Sequence, residues 1–173
     1  MTDRFAHHLR LDQIRDGERL DLVADEAERA AVADRLAIPA LKRLEAHVTL
    51  SRTGEIVRAS GRLGAVLEQN CVITNEPVPA HIDEPFDLIF IPEPEASNAE
   101  EEIELGESEM DVVFHDGALI DLGGAIADTL ALVIDPYPRS AGADAALKEA
   151  GVLSEEQASP FAALASLKRS DEP

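Results

Sequence analysis

Tryptophan is absent, tyrosine occurs once, and aromatic residues make up 3% of the 173 positions. The core must therefore be aliphatic, drawn from Leu, Val, Ile and Ala. Cysteine also occurs once, at Cys71, so no internal disulfide can form, which fits a reducing compartment. No apolar run approaches the length that spans a bilayer. The opening MTDRFAHHLRLDQ lacks the apolar stretch of a signal peptide, so a cytoplasmic protein is expected. Bases are scarce: 15 Lys and Arg stand against 35 Asp and Glu, a formal net charge of -20. Such a chain is repelled by bulk phosphate, which argues against generic coating of nucleic acid and leaves a local basic patch or a basic partner open. The length suits one domain with tails and is enough for a real core.

What is present is a long alternation. In residues 55–91, Val57, Ala59, Leu63, Ala65 and Leu67 alternate with Arg58, Ser60, Arg62 and Glu68; Val78, Ala80, Ile82, Phe86, Leu88 and Phe90 then share one parity. A period of two sustained this far predicts two half-buried antiparallel strands, joined at Thr74-Asn75-Glu76-Pro77. Gly61 and Gly64 interrupt the first strand, where a bulge or bend is expected. Leu44, Ala46, Val48 and Leu50 predict the preceding strand, with Ser51-Arg52-Thr53-Gly54 as the hairpin turn. Residues 5–11 and 20–23 read as shorter strands. His7 and His8 are strand neighbours on opposite faces and cannot readily share a metal ion.

Two helices are expected on this sheet. The first, 25–37, opens on Asp25 with Glu28 three residues on, a capping box, and pairs Asp25 with Arg29. Its buried stripe is Ala24, Ala27, Ala31, Val32 and Leu36, and Pro39 ends it. The second, 122–134, is capped by Asp121, carries Leu122, Ile126, Leu130 and Val133 on one stripe, and stops before Pro136. A short strand is expected at 111–114. Beyond a linker at 140–143, residues 144–150 can make two helical turns closed by Gly151. Ser159-Pro160 opens a last helix with Phe161, Leu164 and Leu167 on one side, docking either on its own sheet or in a partner's groove. The expected fold is α+β: an antiparallel sheet, open or curled toward an open barrel, with packed helices over 1–140, then a linker and short helices over 141–173.

Charge is unevenly spread. Residues 40–67 hold five bases (Lys42, Arg43, Arg52, Arg58, Arg62) and two acids (Glu45, Glu55). Arg43 shares a strand parity with His47, and Arg58 shares one with Arg62, opposite the apolar side, so paired strands present one basic face. Such a face is by default the solvated side of a sheet; its functional reading is phosphate contact by Arg43, Arg58 and Arg62. Residues 93–111 hold nine acids and no base, and read as a mobile loop. This loop is either a solubilising insertion or a lure for a basic protein such as a ribosomal protein before assembly. In Asp135-Pro136-Tyr137-Pro138-Arg139 two prolines hold the chain extended. There Tyr137 packs back as an anchor while Arg139 pairs with a helix-end carbonyl or an acid. Alternatively the ring stacks on a base and Arg139 takes a phosphate.

Several runs then fall in an ordered set: Gln69-Asn70-Cys71-Val72-Ile73-Thr74 with Glu76-Pro77-Val78, Ile120-Asp121-Leu122-Gly123, Leu130-Ala131-Leu132 with residues 135–139, and Pro160-Phe161-Ala162-Ala163-Leu164. In this order and spacing the chain resembles the bacterial YceD family, the large ribosomal RNA subunit accumulation proteins, from the first strand to residue 167. The resemblance implies a part in the production or stability of large-subunit ribosomal RNA. Some members carry a second cysteine three positions after the first. Thr74 stands there in this sequence, which removes a shared zinc or redox pair, and one thiolate cannot build a four-ligand zinc site.

The five histidines (His7, His8, His47, His81, His115) show neither metal-ligand nor triad spacing, and Gly123-Gly124 is too short for a phosphate loop. A nucleophilic Cys71 would need His81 to return across the turn, and cysteine on an apolar strand is by default packing. The expectation is a non-enzymatic accessory factor for accumulation, processing or stability of large-subunit ribosomal RNA. It needs no cofactor or metal and binds through Arg43, Arg58, Arg62, Tyr137 and Arg139. The alternatives are an acidic carrier for a basic ribosomal protein and a hydrolase built on Cys71.

Overall fold

The alternation becomes three long strands, β3 (Ala40–Thr53), β4 (Ile56–Asn70) and β5 (Pro77–Pro92). The computed structural model describes Phe5 and residues 7–93 and 111–152. Within them β2 (Glu18–Val23) flanks β3 and β6 (Asp111–His115) flanks β5, giving a sheet in the order β2-β3-β4-β5-β6. β2 with β3, and β3 with β4, pair antiparallel; β6 runs parallel to β5. The fold is α+β, but its sheet is mixed rather than wholly antiparallel. β1 (His8–Arg10) and β7 (Leu119–Asp121) form a separate antiparallel pair. With β2 and β6 at its edges, the large sheet is not a closed barrel among the described residues.

The chain divides into two compact units. One comprises Met1–Gln69 and Pro79–Pro136, the other Asn70–Val78 and Tyr137–Pro173. The core of the first lies on one face of the sheet: Leu44, Ala46, Val48 and Leu50 from β3, Val57, Ala59, Leu63, Ala65 and Leu67 from β4, and Phe86, Leu88 and Phe90 from β5. Helix α1 (Glu26–Arg35) adds Val32 and Ala33, and helix α2 (Leu122–Val133) adds Leu122, Ala125, Ile126 and Leu130. The core is mostly aliphatic, as the scarcity of aromatics requires.

Local chemistry explains the element ends. The capping box of α1 is complete: Asp25 accepts from Glu28 N at 2.9 Å, and the Glu28 carboxylate accepts from Asp25 N at 2.8 Å. Its buried face differs from the expected stripe, since Ala27 is exposed and Ala33 buried. Arg29 reaches the Ala24 carbonyl at 2.7 Å instead of the Asp25 side chain. At α2, Asp121 accepts from Gly124 N at 2.8 Å. A Cβ on Gly123 would stand 2.4 Å from the Phe5 carbonyl oxygen, so only glycine lets the backbone of Phe5 and His7, just before β1, lie against the helix start. In the second unit, α3 (Ala143–Glu149) closes on Gly151 at φ +77°, with Val152 N donating to Leu147 O. The acidic residues 94–110 and the last expected helix, from 159, lie outside the described residues.

Two irregularities were misplaced from the sequence. The β3–β4 turn is Gly54-Glu55, with Thr53 opposite Ile56 and Gly54 at φ +65°, so Arg52 belongs to the strand. Neither Gly61 nor Gly64 bulges β4 in its pairing with β3; the register shift there falls on β3 between Leu41 and Arg43, where Lys42 is the extra residue. Gly61 answers a steric demand instead, since a Cβ there would lie 1.8 Å from the His47 carbonyl oxygen.

Candidate functional site

The polar face of β3, β4 and β5 gathers the arginines singled out in the sequence. Strand parity places Arg43, Glu45 and His47 of β3 on the side away from the core, with Arg58, Arg62 and Gly64 of β4 and His81, Asp83 and Asp87 of β5. His47 stands directly opposite Arg62, and Glu45 opposite Gly64. This face is not simply basic, because each arginine is engaged by a carboxylate of its own sheet. Arg43 Nε donates to Glu45 at 2.8 Å, Arg58 Nε to Asp87 at 2.8 Å, and Arg62 Nε to Asp83 at 2.9 Å. A second bond from Nη2 locks each guanidinium, to Glu45, to Asp87 and to the Asp83 backbone carbonyl respectively. The planes are thereby oriented, and among the described residues Nη1 of each has no hydrogen-bond partner. His47 lies 2.6 Å from Asp21 of β2; that hydrogen bond, with the carboxylate's charge, holds its imidazole above the ordinary range.

A trough of about 360 Å³ opens in the middle of this face. Its walls include Arg43, Glu45, His47, Arg62, His81 and Asp83, and Gly64 lies among them. Chemically it offers fixed arginine donors, two imidazoles and two carboxylates around a position without a side chain. A second cavity, of about 460 Å³, lies between α1 and α2; beyond the Arg35–Asp128 ion pair and the capping Asp121, its lining is mostly apolar.

Tyr137 and Arg139 fall in the second unit. Tyr137 is 73% exposed. Arg139 meets the acid expected of it, with Nη1 3.3 Å from Asp144 in the first turn of α3.

Cys71 is the least expected feature. It is buried, and its sulfur accepts three backbone N–H bonds, from Ile73 and Thr74 at 3.4 Å and from Ser140 at 3.2 Å. Burial pushes the thiol up, and hydrogen bonds from Thr74 and Ser140 more than reverse this, bringing it down to about 6. Thr74 Oγ1 sits 3.0 Å from both Glu76 Oε2 and Ser140 Oγ, and these hydroxyls hold the Glu76 carboxyl below its usual range. Cys71 therefore does more than fill space: it fastens the 71–76 turn to the 138–140 segment, with Val72 N donating to Pro138 O at 2.9 Å. The partners of its sulfur are amides and hydroxyls, with no histidine among them.

His115 was passed over as one of five scattered histidines. It is buried, accepting from Gly117 N at Nδ1 and so donating from Nε2 to the Glu55 carbonyl at 2.8 Å. It ties the β3–β4 turn to the end of β6. Its neighbour Gly117, at φ +86°, was the available signal, since His-Asp-Gly reads as a turn that needs an internal acceptor. No group of residues able to hold a metal ion occurs among the described residues.

A mixed-sheet α+β protein with an ion-paired outer face and a buried, amide-bound thiol is the class these features define. The chain belongs to the YceD family: the model of the large ribosomal RNA subunit accumulation protein YceD matches residues 59–168. That span takes in most of β4, the Cys71 turn, α2 and the Tyr137 segment. No curated protein and no solved structure matches the chain. No helix among the described residues is long and apolar enough to cross a membrane.

Proposed function

We propose that this protein is a non-catalytic, cytoplasmic accessory factor for large-subunit ribosomal RNA, touching single-stranded RNA through the outer face of β3, β4 and β5. One observation carries this: Arg43, Arg58 and Arg62 lie exposed on one face, each oriented by a carboxylate of the same sheet. An arginine held this way lends little charge to a phosphate. Its plane can stack and its Nη1 can donate, which suits bases better than backbone. A chain of net charge -20 gains nothing from bulk attraction to RNA, so base contact in unpaired segments is the mode left to it.

The test is restoration of large-subunit RNA in cells lacking the protein. The triple variant Arg43→Gln, Arg58→Gln, Arg62→Gln should fail while remaining folded. The quadruple variant Glu100→Gln, Glu101→Gln, Glu102→Gln, Glu104→Gln should succeed. Binding of the wild type to RNA should show a salt slope below about three, the limit for three phosphate contacts. The second reading, a carrier for a basic ribosomal protein, is favoured by the net charge and by the nine acids of residues 93–111. It replaces the first if the glutamate variant alone fails.

A further inference from the structure

We propose that the trough over Gly64 is the seat of a single nucleobase, an inference that rests on the RNA reading above. Gly64 lies on the outer side of the sheet, and any side chain there would project into the trough. Directly across the strand pair is Glu45, whose carboxylate already holds Arg43. A carboxylate has about four acceptor positions, so Glu45 can take a base amino group while keeping that arginine. Arg43 and Arg62 line the trough with Nη1 available among the described residues, donors suited to a base carbonyl. His81 of β5 and the guanidinium planes supply flat surfaces for a ring. At about 360 Å³ the trough is near the lower end of small-ligand sites, roughly 300–1,000 Å³, and is sized for one ring rather than a run of them.

The two glycines of β4 make this testable. The atoms nearest a Cβ at Gly64 belong to the Glu45 side chain, at 3.3 Å, whereas a Cβ at Gly61 would strike backbone. Gly64→Val thus fills the trough, the Glu45 side chain giving way while Arg62 stays on Asp83. Full-length protein would be titrated with a labelled single-stranded RNA of about twelve nucleotides, within the usual range of sites, and with the same backbone made abasic. Base removal and Gly64→Val should each weaken binding about tenfold, the scale of one stacked base, and the two losses should not add. If the abasic strand binds the wild type as well as the intact one, the seat is refuted, and RNA binding survives only as contact with the backbone. If neither strand binds, the RNA reading falls and takes the seat with it. Should Gly64→Val fail to fold, the abasic comparison on the wild type decides alone.

Discussion

Strand β4 has two faces, and each carries a glycine where a side chain was expected. On the inner face Gly61 stands in the series Val57, Ala59, Leu63, Ala65, Leu67 and lies against the His47 carbonyl, with Phe86 Cζ 3.2 Å from where its Cβ would be. On the outer face Gly64 stands between Arg62 and Val66 and leaves a trough. The inner glycine is a demand of close packing, which punishes added volume. The outer glycine answers no comparable demand from its neighbours, and absence of a side chain at a polar, charged position is the mark of a place kept open. Polar groups divide the same way. The inner ones are satisfied by backbone, as where buried Gln69 donates to the Asp135 carbonyl at 2.7 Å. The outer ones pair with each other in water, where ion pairs contribute little to stability and are easily exchanged for a ligand.

Swapping alanine into each glycine breaks or upholds this contrast most directly. Gly61→Ala should destabilise the protein by at least ~3 kcal/mol, because the colliding atom is backbone and cannot yield. Gly64→Ala should stay within about 1 kcal/mol of the wild type. Urea denaturation of the pair measures both, and equal losses would erase the distinction between the faces.

A smaller effect is expected at Cys71, two residues beyond Gln69 in the inner parity. Its thiol is lowered from an ordinary value of 9.0 to about 6, so the folded state favours the thiolate. The associated stability is fully present above about pH 9 and is lost as pH falls through about 6. The denaturation midpoint of the wild type should therefore rise between pH 6 and pH 9 by a component missing from Cys71→Ser. The thiolate's ultraviolet absorbance should appear with a midpoint near pH 6. A midpoint in the ordinary thiol range would show that the three amides do not hold a thiolate.

The smallest effect belongs to the outer face. His47 is raised above 6.5 by its hydrogen bond to Asp21 and, to a lesser degree, by the charges of Asp21 and Glu45, against Arg43; Arg62 faces it from β4. A raised histidine contributes stability below its unfolded value and loses it as pH rises through the folded one. An NMR titration should place the His47 imidazole above 6.5, and Asp21→Asn should return it toward that value, with little change in melting temperature since both side chains are exposed.

Much of this could be read from residue order. Parity alone assigned the inner residues of β4 and β5, and Asp25 with Glu28 announced the capping box. Asp121 and Gly151 marked ends of helices. Arg43, Arg58 and Arg62 were rightly put on one face. The partners of Arg58 and Arg62 were not found, because Asp87 and Asp83 lie on another strand and cross-strand neighbours depend on register, which a lone strand pattern does not set. The parallel entry of β6 was hidden for a related reason: Val112-Val113-Phe114 marks a strand but not its direction. The Cys71 hub escaped because two of its three amides are local and the third, Ser140, is brought in by the fold. Ala27 misled because alanine serves equally well inside and outside a helix face.

The extra residue at Lys42 has a consequence for chain length. Counting back by twos from Leu44 would drive an ammonium group into an aliphatic core. The bulge slips the alternation by half a period, so Leu41 is buried, Lys42 and Arg43 both lie outside, and Lys42 meets Glu68. Removing Lys42 would leave Leu41, Arg43 and Leu44 in regular in-out-in succession, at the cost of one exposed ion pair. Removing any single residue between Leu44 and Leu50 would turn every side chain on one side of the cut to the wrong face. Gene copies one codon shorter are therefore tolerable at this point of β3 and ruinous a few codons later.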